Sequence, residues 1–359
     1  MWRLTLGELK RLNDSLCNSW EVLKLKLLEA IKQCSFKVDD FIRRLLPDEA
    51  KPRELYAASR HLIEAGGKRL RPFLVVQSCI AVGGDASAVL PAAASVELIH
   101  NFTLVHDDIM DRDDFRRGVP TVHRIWGVPT AIIAGDLLFS KAFEALLRCA
   151  KHISVSPERV VEAARRLAEA VSTIAEGQAL DMSLSGRLKE EVVSEEEYYE
   201  MIYKKTAALF KVSCEIGSII GGGSEEQVRA LSSYGENIGL AFQMLDDILG
   251  VTADEKVLGK PVGSDLREGK CTLIMIHALS NASSSQRAAI MKVYGKSEIS
   301  VEELKLVVKL LEDLGSISYV LDLAKKHVDS AKKSISILPE SGAKRLLMEL
   351  ADFVISRKY

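Results

Sequence analysis

Two pairs of adjacent aspartates carry the most chemistry in this chain: Asp107-Asp108, followed by Asp111, and Asp246-Asp247, each set in apolar, helix-compatible sequence. Two carboxylates about 6 Å apart repel by roughly 3 kcal/mol at an effective dielectric near 20. A buried surface keeps such pairs only where strong positive charge lies between them. No Cys or His stands at ligand spacing, so the donors are oxygen alone and magnesium is the expected ion. Magnesium retains several waters and favours sites shared between one or two carboxylates and a substrate phosphate. Two facing acidic pairs therefore predict a phosphate ester bridged by metal between two helices.

On a helix, Asp107 and Asp111 lie about 40° apart around the axis, so both face one way. His100 falls about 20° from Asp107 on the same stripe, two turns earlier. Leu98, Ile99, Phe102, Leu104 and Val105 are apolar, which sets the carboxylates at the rim of a greasy groove. A solvated helix end is the plain alternative for one such string. Its partial repetition at Asp246-Asp247, after Leu240, Ala241, Phe242, Met244 and Leu245, argues against that. A third element, Gly66-Gly67-Lys68-Arg69-Leu70-Arg71-Pro72, joins glycines that permit close backbone approach to charge suited to a diphosphate. Its spacing is not that of a P-loop. Alone, it would pass for a basic surface turn.

The elements that must position these residues are helices. Period-3.6 patterns predict them over 20–46, 53–66, 71–83, 88–112, 129–152, 157–182, 195–221, 225–251, 271–280, 285–294, 301–314, 317–335 and 341–357. Ser156-Pro157 opens one, Ser194 before three glutamates caps another, and Gly221-Gly222-Gly223 closes a third. Two polar, basic loops, 112–121 and 252–270, each follow an aspartate pair. The expected fold is an all-α, single-domain helical bundle.

Composition fits that expectation: 359 residues, 47% apolar and 27% charged. A formal charge of −2 argues against a general nucleic-acid surface. The six cysteines are scattered, as for reduced, buried thiols in a cytoplasmic protein. No apolar run reaches the ~18 residues of a membrane span, and the start is too charged for a signal peptide. Residues 1–30 look like a helical extension to a domain over 31–359.

The ordered set of Gly66 to Pro72, His106 to Asp111, Arg116-Arg117-Gly118, Lys205-Thr206, Gln243-x-x-Asp246-Asp247 and Gly259-Lys260 through Lys270 resembles the trans-isoprenyl diphosphate synthases of the polyprenyl synthase family, most closely the archaeal geranylgeranyl type. The likeness runs from about residue 30 to the C-terminus. It implies an isoprenoid-synthase bundle with a central active-site cavity. The implied reaction joins isopentenyl diphosphate head-to-tail to an allylic diphosphate (dimethylallyl, geranyl or farnesyl) after magnesium-assisted ionisation. Geranylgeranyl diphosphate is the expected product, with farnesyl or products of twenty-five carbons and above as the alternative.

The resemblance also assigns residues. Asp107, Asp108 and Asp111 would bind two magnesium ions and Asp246 and Asp247 a third, with manganese as a substitute. Arg116, Lys205, Lys260 and Lys270 would hold the allylic diphosphate. Gly67, Lys68, Arg71, His100 and Arg117 would form the isopentenyl pocket. Thr206 and Gln243, with the Lys205 carbonyl, would lie near the developing carbocation, while Gln178 and Asp181 face the site. Phe102 and Thr103, five and four residues before Asp107, would floor the tunnel and set chain length. The implied assembly is a homodimer. One departure is Gly250, where many relatives carry a third aspartate.

Three other readings compete. A class I terpene cyclase needs a second motif that 246–253 lacks. A di-iron bundle needs two Glu-x-x-His pairs, and only Glu97 to His100 fits. A non-catalytic subunit would tend to lose aspartates that this chain keeps.

Overall fold

The computed structural model describes residues 6–189, 191–252, 263–296 and 298–356, with side chains from residue 23 onward except that of Ser264. Lys260, with Lys256 and Gly259, lies outside the described residues. The expected all-α bundle is what forms, around one contiguous apolar core.

Helix α1 (Leu6–Leu45) lays one stripe on that core. Leu27, Ile31, Cys34, Val38, Ile42 and Leu45 recur every three or four residues, and all are buried. The helix passes position 30 without a break. After α2 (Arg53–Glu64) and α3 (Leu70–Ala81) comes α4 (Ala86–Met110), capped where Asp85 accepts from the Ser87 amide at 2.7 Å. α4 packs between α3 and α6 (Val128–Leu147). Among the described residues it alone is long and apolar enough to cross a membrane, yet 67% of its most apolar stretch is buried in the bundle. A central helix is apolar all round for that reason.

The loop over 112–121 contains a small hairpin, β1 (Phe115–Arg116) against β2 (Val119–Pro120), which leads into α5 (Val122–Trp126). Its turn residues Arg117 and Gly118 have φ of 55° and 77°, the positive values that a tight two-residue hairpin turn requires. α7 (Pro157–Leu184) and α8 (Glu195–Ile202) follow, the latter opened by a Ser194–Glu197 capping box.

The helix expected over 195–221 is not continuous. A π-helical turn, Tyr203–Ala207, separates α8 from α9 (Ala208–Gly221). α10 (Glu225–Thr252) packs on α9 and on α15 (Ser316–Ser334). The remaining elements are α11 (Ser264–Glu268), α12 (Leu273–Asn281), α13 (Ser284–Val293), α14 (Val301–Asp313) and α16 (Gly342–Ile355). Five cysteines (Cys34, Cys79, Cys149, Cys214 and Cys271) are buried and unpaired.

Candidate active site

The C-terminal ends of α4 and α10 open onto one cavity of about 480 Å³, walled by α7, the π-helical turn and the α11–α12 segment. Asp107 and Asp111 enter from α4, Asp246 and Asp247 from α10, and Asp181 from α7. Helix C-termini carry partial negative charge, so the backbone adds to the repulsion among these carboxylates. Burial pushes Asp107 up to about 7, against the pull of Lys205. Burial also raises Asp111, with Lys205 and Lys270 opposing. Both helices thus deliver acids where they are electrostatically costly unless cations join them.

Fixed cations face these acids. Arg116 is clamped by Asp108, at 2.7 Å from Nε and 2.6 Å from Nη2, and by Asp113 at 2.8 Å. Burial works against its charge, but Asp108 and Asp113 raise its pKa. Lys205 pairs with Asp181. Lys270 lies 3.0 Å from Glu268 and 3.5 Å from Asp265. Burial opposes its charge too, and those two carboxylates raise it nonetheless.

Asp108 departs from its expected place. It is fully buried and does not line the cavity; its carboxylate binds Arg116 instead. One residue beyond Asp107 on a helix points about 100° away, which here turns Asp108 into the protein beside Arg116.

Of the expected isopentenyl pocket, Arg71 and His100 line the cavity. Arg71 Nη1 lies 3.3 Å from His100 Nε2, and its guanidinium stands 4.4 Å from the centroid of the Phe210 ring. Burial lowers Arg71 to about 10, and Glu97 and Asp246 oppose this, so it stays cationic at neutral pH. Burial and the surrounding arginines push His100 well below its usual value. The neutral ring then accepts from Arg71. Gly67 and Lys68 are exposed outside the cavity lining.

Arg117 differs from expectation as well. It sits at the hairpin turn outside the cavity lining, and its Nη1 donates to the Leu62 carbonyl at 2.5 Å, to the Gly66 carbonyl and to Asn101. It thereby secures the 66–69 loop from beneath. Arg69, which the motif reading passed over, secures the same loop. Its guanidinium binds Asp39, Glu97 and the Ile63 and Gly66 carbonyls.

The π-helical turn brings consecutive residues Lys205 and Thr206 to the cavity together. Insertions of this kind recur at functional sites. Gly177 makes room for it, since a Cβ there would lie 2.2 Å from the Lys205 amide nitrogen. Thr206 Oγ1 donates to Gln243 Oε1 at 2.7 Å, Gln243 Nε2 donates to Asp247 Oδ1 at 2.8 Å, and Tyr198 donates to Asp247 Oδ2 at 2.6 Å. Burial, with Asp265 next, pushes Asp247 up to about 7, while those hydrogen bonds oppose it.

Among the described residues, no three acidic, His or Cys side chains converge on one point as a closed metal cage. The donor set nevertheless fits magnesium, which takes few carboxylates and completes its shell with water and phosphate. Gln178, buried at 7% exposure, faces the same cavity with both amide atoms lacking partners among the described residues. An amide so placed suits a hydrated ion or a polar ligand group.

Residues 52–311 match the polyprenyl synthetase family model. The chain belongs to the polyprenyl synthetase family. It is 46% identical to a geranylgeranyl diphosphate synthase of Methanosarcina mazei, over 94% of this chain and 100% of that protein. A short chain isoprenyl diphosphate synthase of Methanothermobacter thermautotrophicus is 45% identical, over 93% and 100% respectively. The crystal structure of a geranylgeranyl pyrophosphate synthetase from Pyrococcus horikoshii superposes with a TM-score of 0.86 at 46% identity, covering 93% of this chain and 99% of that one.

In this polyprenyl synthetase, Thr103 lines the cavity and Phe102 does not. The Phe102 ring lies on the seam between α4 and α6, edge-on to His106 at 4.9 Å and to Phe139 at 5.4 Å between centroids. One acidic residue escaped the motif reading. Asp265 lines the cavity beside Gly250.

Proposed function

We propose that this chain is a magnesium-dependent geranylgeranyl diphosphate synthase, extending an allylic diphosphate with isopentenyl diphosphate. One observation carries this: Asp107, Asp111 and Asp246, borne on the ends of two helices, face a single cavity together with Arg116, Lys205 and Lys270. Magnesium, bound through those aspartates, supplies Lewis-acid stabilisation of a diphosphate leaving group. Three ions are expected, and manganese should substitute.

The chain's own residues do the rest. Arg116, Lys205 and Lys270, each pre-paired with carboxylates, stabilise the charge that builds on the leaving diphosphate as the allylic carbon–oxygen bond breaks. Arg71 and neutral His100 hold the second diphosphate, with Gly67 and Lys68 at the exposed edge and Arg117 securing their loop. Thr206 and Gln243 face the allylic carbon. The isopentenyl double bond attacks it, and the proton lost goes to the released diphosphate.

The exposed apolar residues of α6, Val128, Ile132, Ile133, Phe139 and Leu147, support a homodimer through that helix. Five buried, unpaired thiols support a cytoplasmic location.

Purified protein, magnesium, isopentenyl diphosphate and each of three primers (five, ten and fifteen carbons) test the proposal by product chain length. A twenty-carbon product, abolished by chelator, is expected. A product ending at fifteen carbons, or extending to twenty-five and beyond, would replace the geranylgeranyl assignment with the alternative. No turnover would overturn the activity.

A further inference from the structure

The chain of hydrogen bonds behind Thr206 has a direction. Both neighbours of Asp247 donate to it, one to each oxygen. Tyr198 does so from a fully buried hydroxyl on α8, outside the cavity lining. Gln243 does so from its amide nitrogen, one helical turn before Asp247 on α10. That fixes the amide's orientation and leaves its oxygen toward Thr206. The Thr206 hydroxyl has one hydrogen and gives it to that oxygen. What Thr206 then offers the cavity is lone pairs.

We propose that Tyr198 is a positioning residue that, together with Asp247, sets the polarity of this chain so that Thr206 Oγ1 presents an electron-rich oxygen to the allylic cation. The two aspartates of the second pair accordingly divide their work. Asp246 faces the metal and diphosphate, whereas Asp247 acts through Gln243 on the hydrocarbon side. Both Asp247 oxygens are engaged, by donors at 2.6 and 2.8 Å. The geometry also explains the burial of a tyrosine hydroxyl against a carboxylate. The pair anchors an otherwise reversible chain of dipoles, and fixed dipoles aimed at developing charge are the most effective kind.

The inference rests on the allylic ionisation proposed above, and the experiment separates the two. Full-length wild-type and Tyr198→Phe proteins are compared by calorimetric titration with inorganic pyrophosphate in magnesium. They are also compared by steady-state kinetics and by affinity for a tertiary-ammonium analogue of the allylic cation against its neutral carbon isostere. The variant should bind pyrophosphate within about twofold of wild type and lose about tenfold to hundredfold in kcat with little change in KM. It should bind the ammonium analogue about tenfold more weakly, with the neutral isostere unaffected.

Asp247→Asn, whose amide can donate as well as accept, should show the same selective loss. It guards against a Tyr198 variant that folds poorly. If both variants lose magnesium-dependent pyrophosphate binding as Asp246→Ala does, Asp247 is a ligand and the relay is overturned. Wild-type kcat and analogue affinity in both variants overturn it equally. A wild-type enzyme inert with every primer would instead overturn the parent reading, before any variant is made.

Discussion

The carboxylate of Asp265 rests against the backbone of Gly250: a Cβ at position 250 would lie 2.2 Å from Asp265 Oδ2. Position 250 is where many relatives carry the third aspartate of the second motif. Here an acid from α11 fills the space beside α10 and also sits 3.5 Å from Lys270. The glycine is therefore a packing requirement of Asp265.

Gly250→Ala should displace Asp265 and, through it, Lys270. A shift of about 1 Å in a catalytic clamp costs on the order of a hundredfold. We expect kcat/KM for the allylic substrate to fall by that order, with a smaller change for isopentenyl diphosphate. Steady-state kinetics with each substrate varied in turn is the measurement. Equal losses for both substrates would count against a local effect at Lys270.

Asp107 gives the site a pH signature. Its folded pKa, pushed up to about 7, lies above the unfolded carboxylate value, so the folded state binds the proton more tightly. The stability contributed by that proton is present below pH ~4 and is lost as pH rises through about 7. Metal-free protein should therefore show a Tm that falls between pH 5 and pH 8, and Asp107→Asn should flatten the fall. Magnesium with pyrophosphate should raise Tm more at pH 8 than at pH 6, because protons compete with the cation. Differential scanning calorimetry across that range checks both. A slope unchanged in the variant would remove Asp107 as its source.

Much of this site was legible because residue type and period carry it. Asp107 and Asp111 share a face by simple helical arithmetic, and the apolar stripe of α1 and the all-round apolarity of α4 declare their burial. The same arithmetic separates Asp108 from Asp107, although the pairing of the letters suggests a joint role. Four features left no such mark. The π-helical turn at Tyr203–Ala207 is a change of backbone register within helix-forming residues. The hairpin turn at Arg117-Gly118 lacks the Asn or Asp that usually marks one. Asp265 stands fifteen residues after Gly250, a separation that helical periodicity does not link. Tyr198, likewise, is recognisable only once α8 and α10 are side by side.

Gln178 should trade stability for activity. Its buried amide finds no partner for either polar atom among the described residues, and an unsatisfied buried group costs about 1–3 kcal/mol. Gln178→Leu should therefore hold or raise the Tm of metal-free protein while lowering kcat by about tenfold. Thermal melts alongside kinetics decide it. A destabilised variant with full activity would make Gln178 a packing residue.

Phe102 poses the chain-length question in a form the geometry sharpens. Its ring does not line the cavity but wedges between α4 and α6, edge-on to His106 and Phe139. Thr103, which does line the cavity, is too small to stop a growing chain. A product tail that passes Thr103 would next meet the seam that Phe102 and Phe139 close. Phe102→Ala should open that seam and shift products beyond twenty carbons. Phe139→Ala should do so in part, because Phe102 can then swing toward α6. Radiolabelled product analysis by chain length reads both. An unchanged distribution in Phe102→Ala would remove it from the floor and leave product release, or another wall such as Leu104 or Leu209, to set the length.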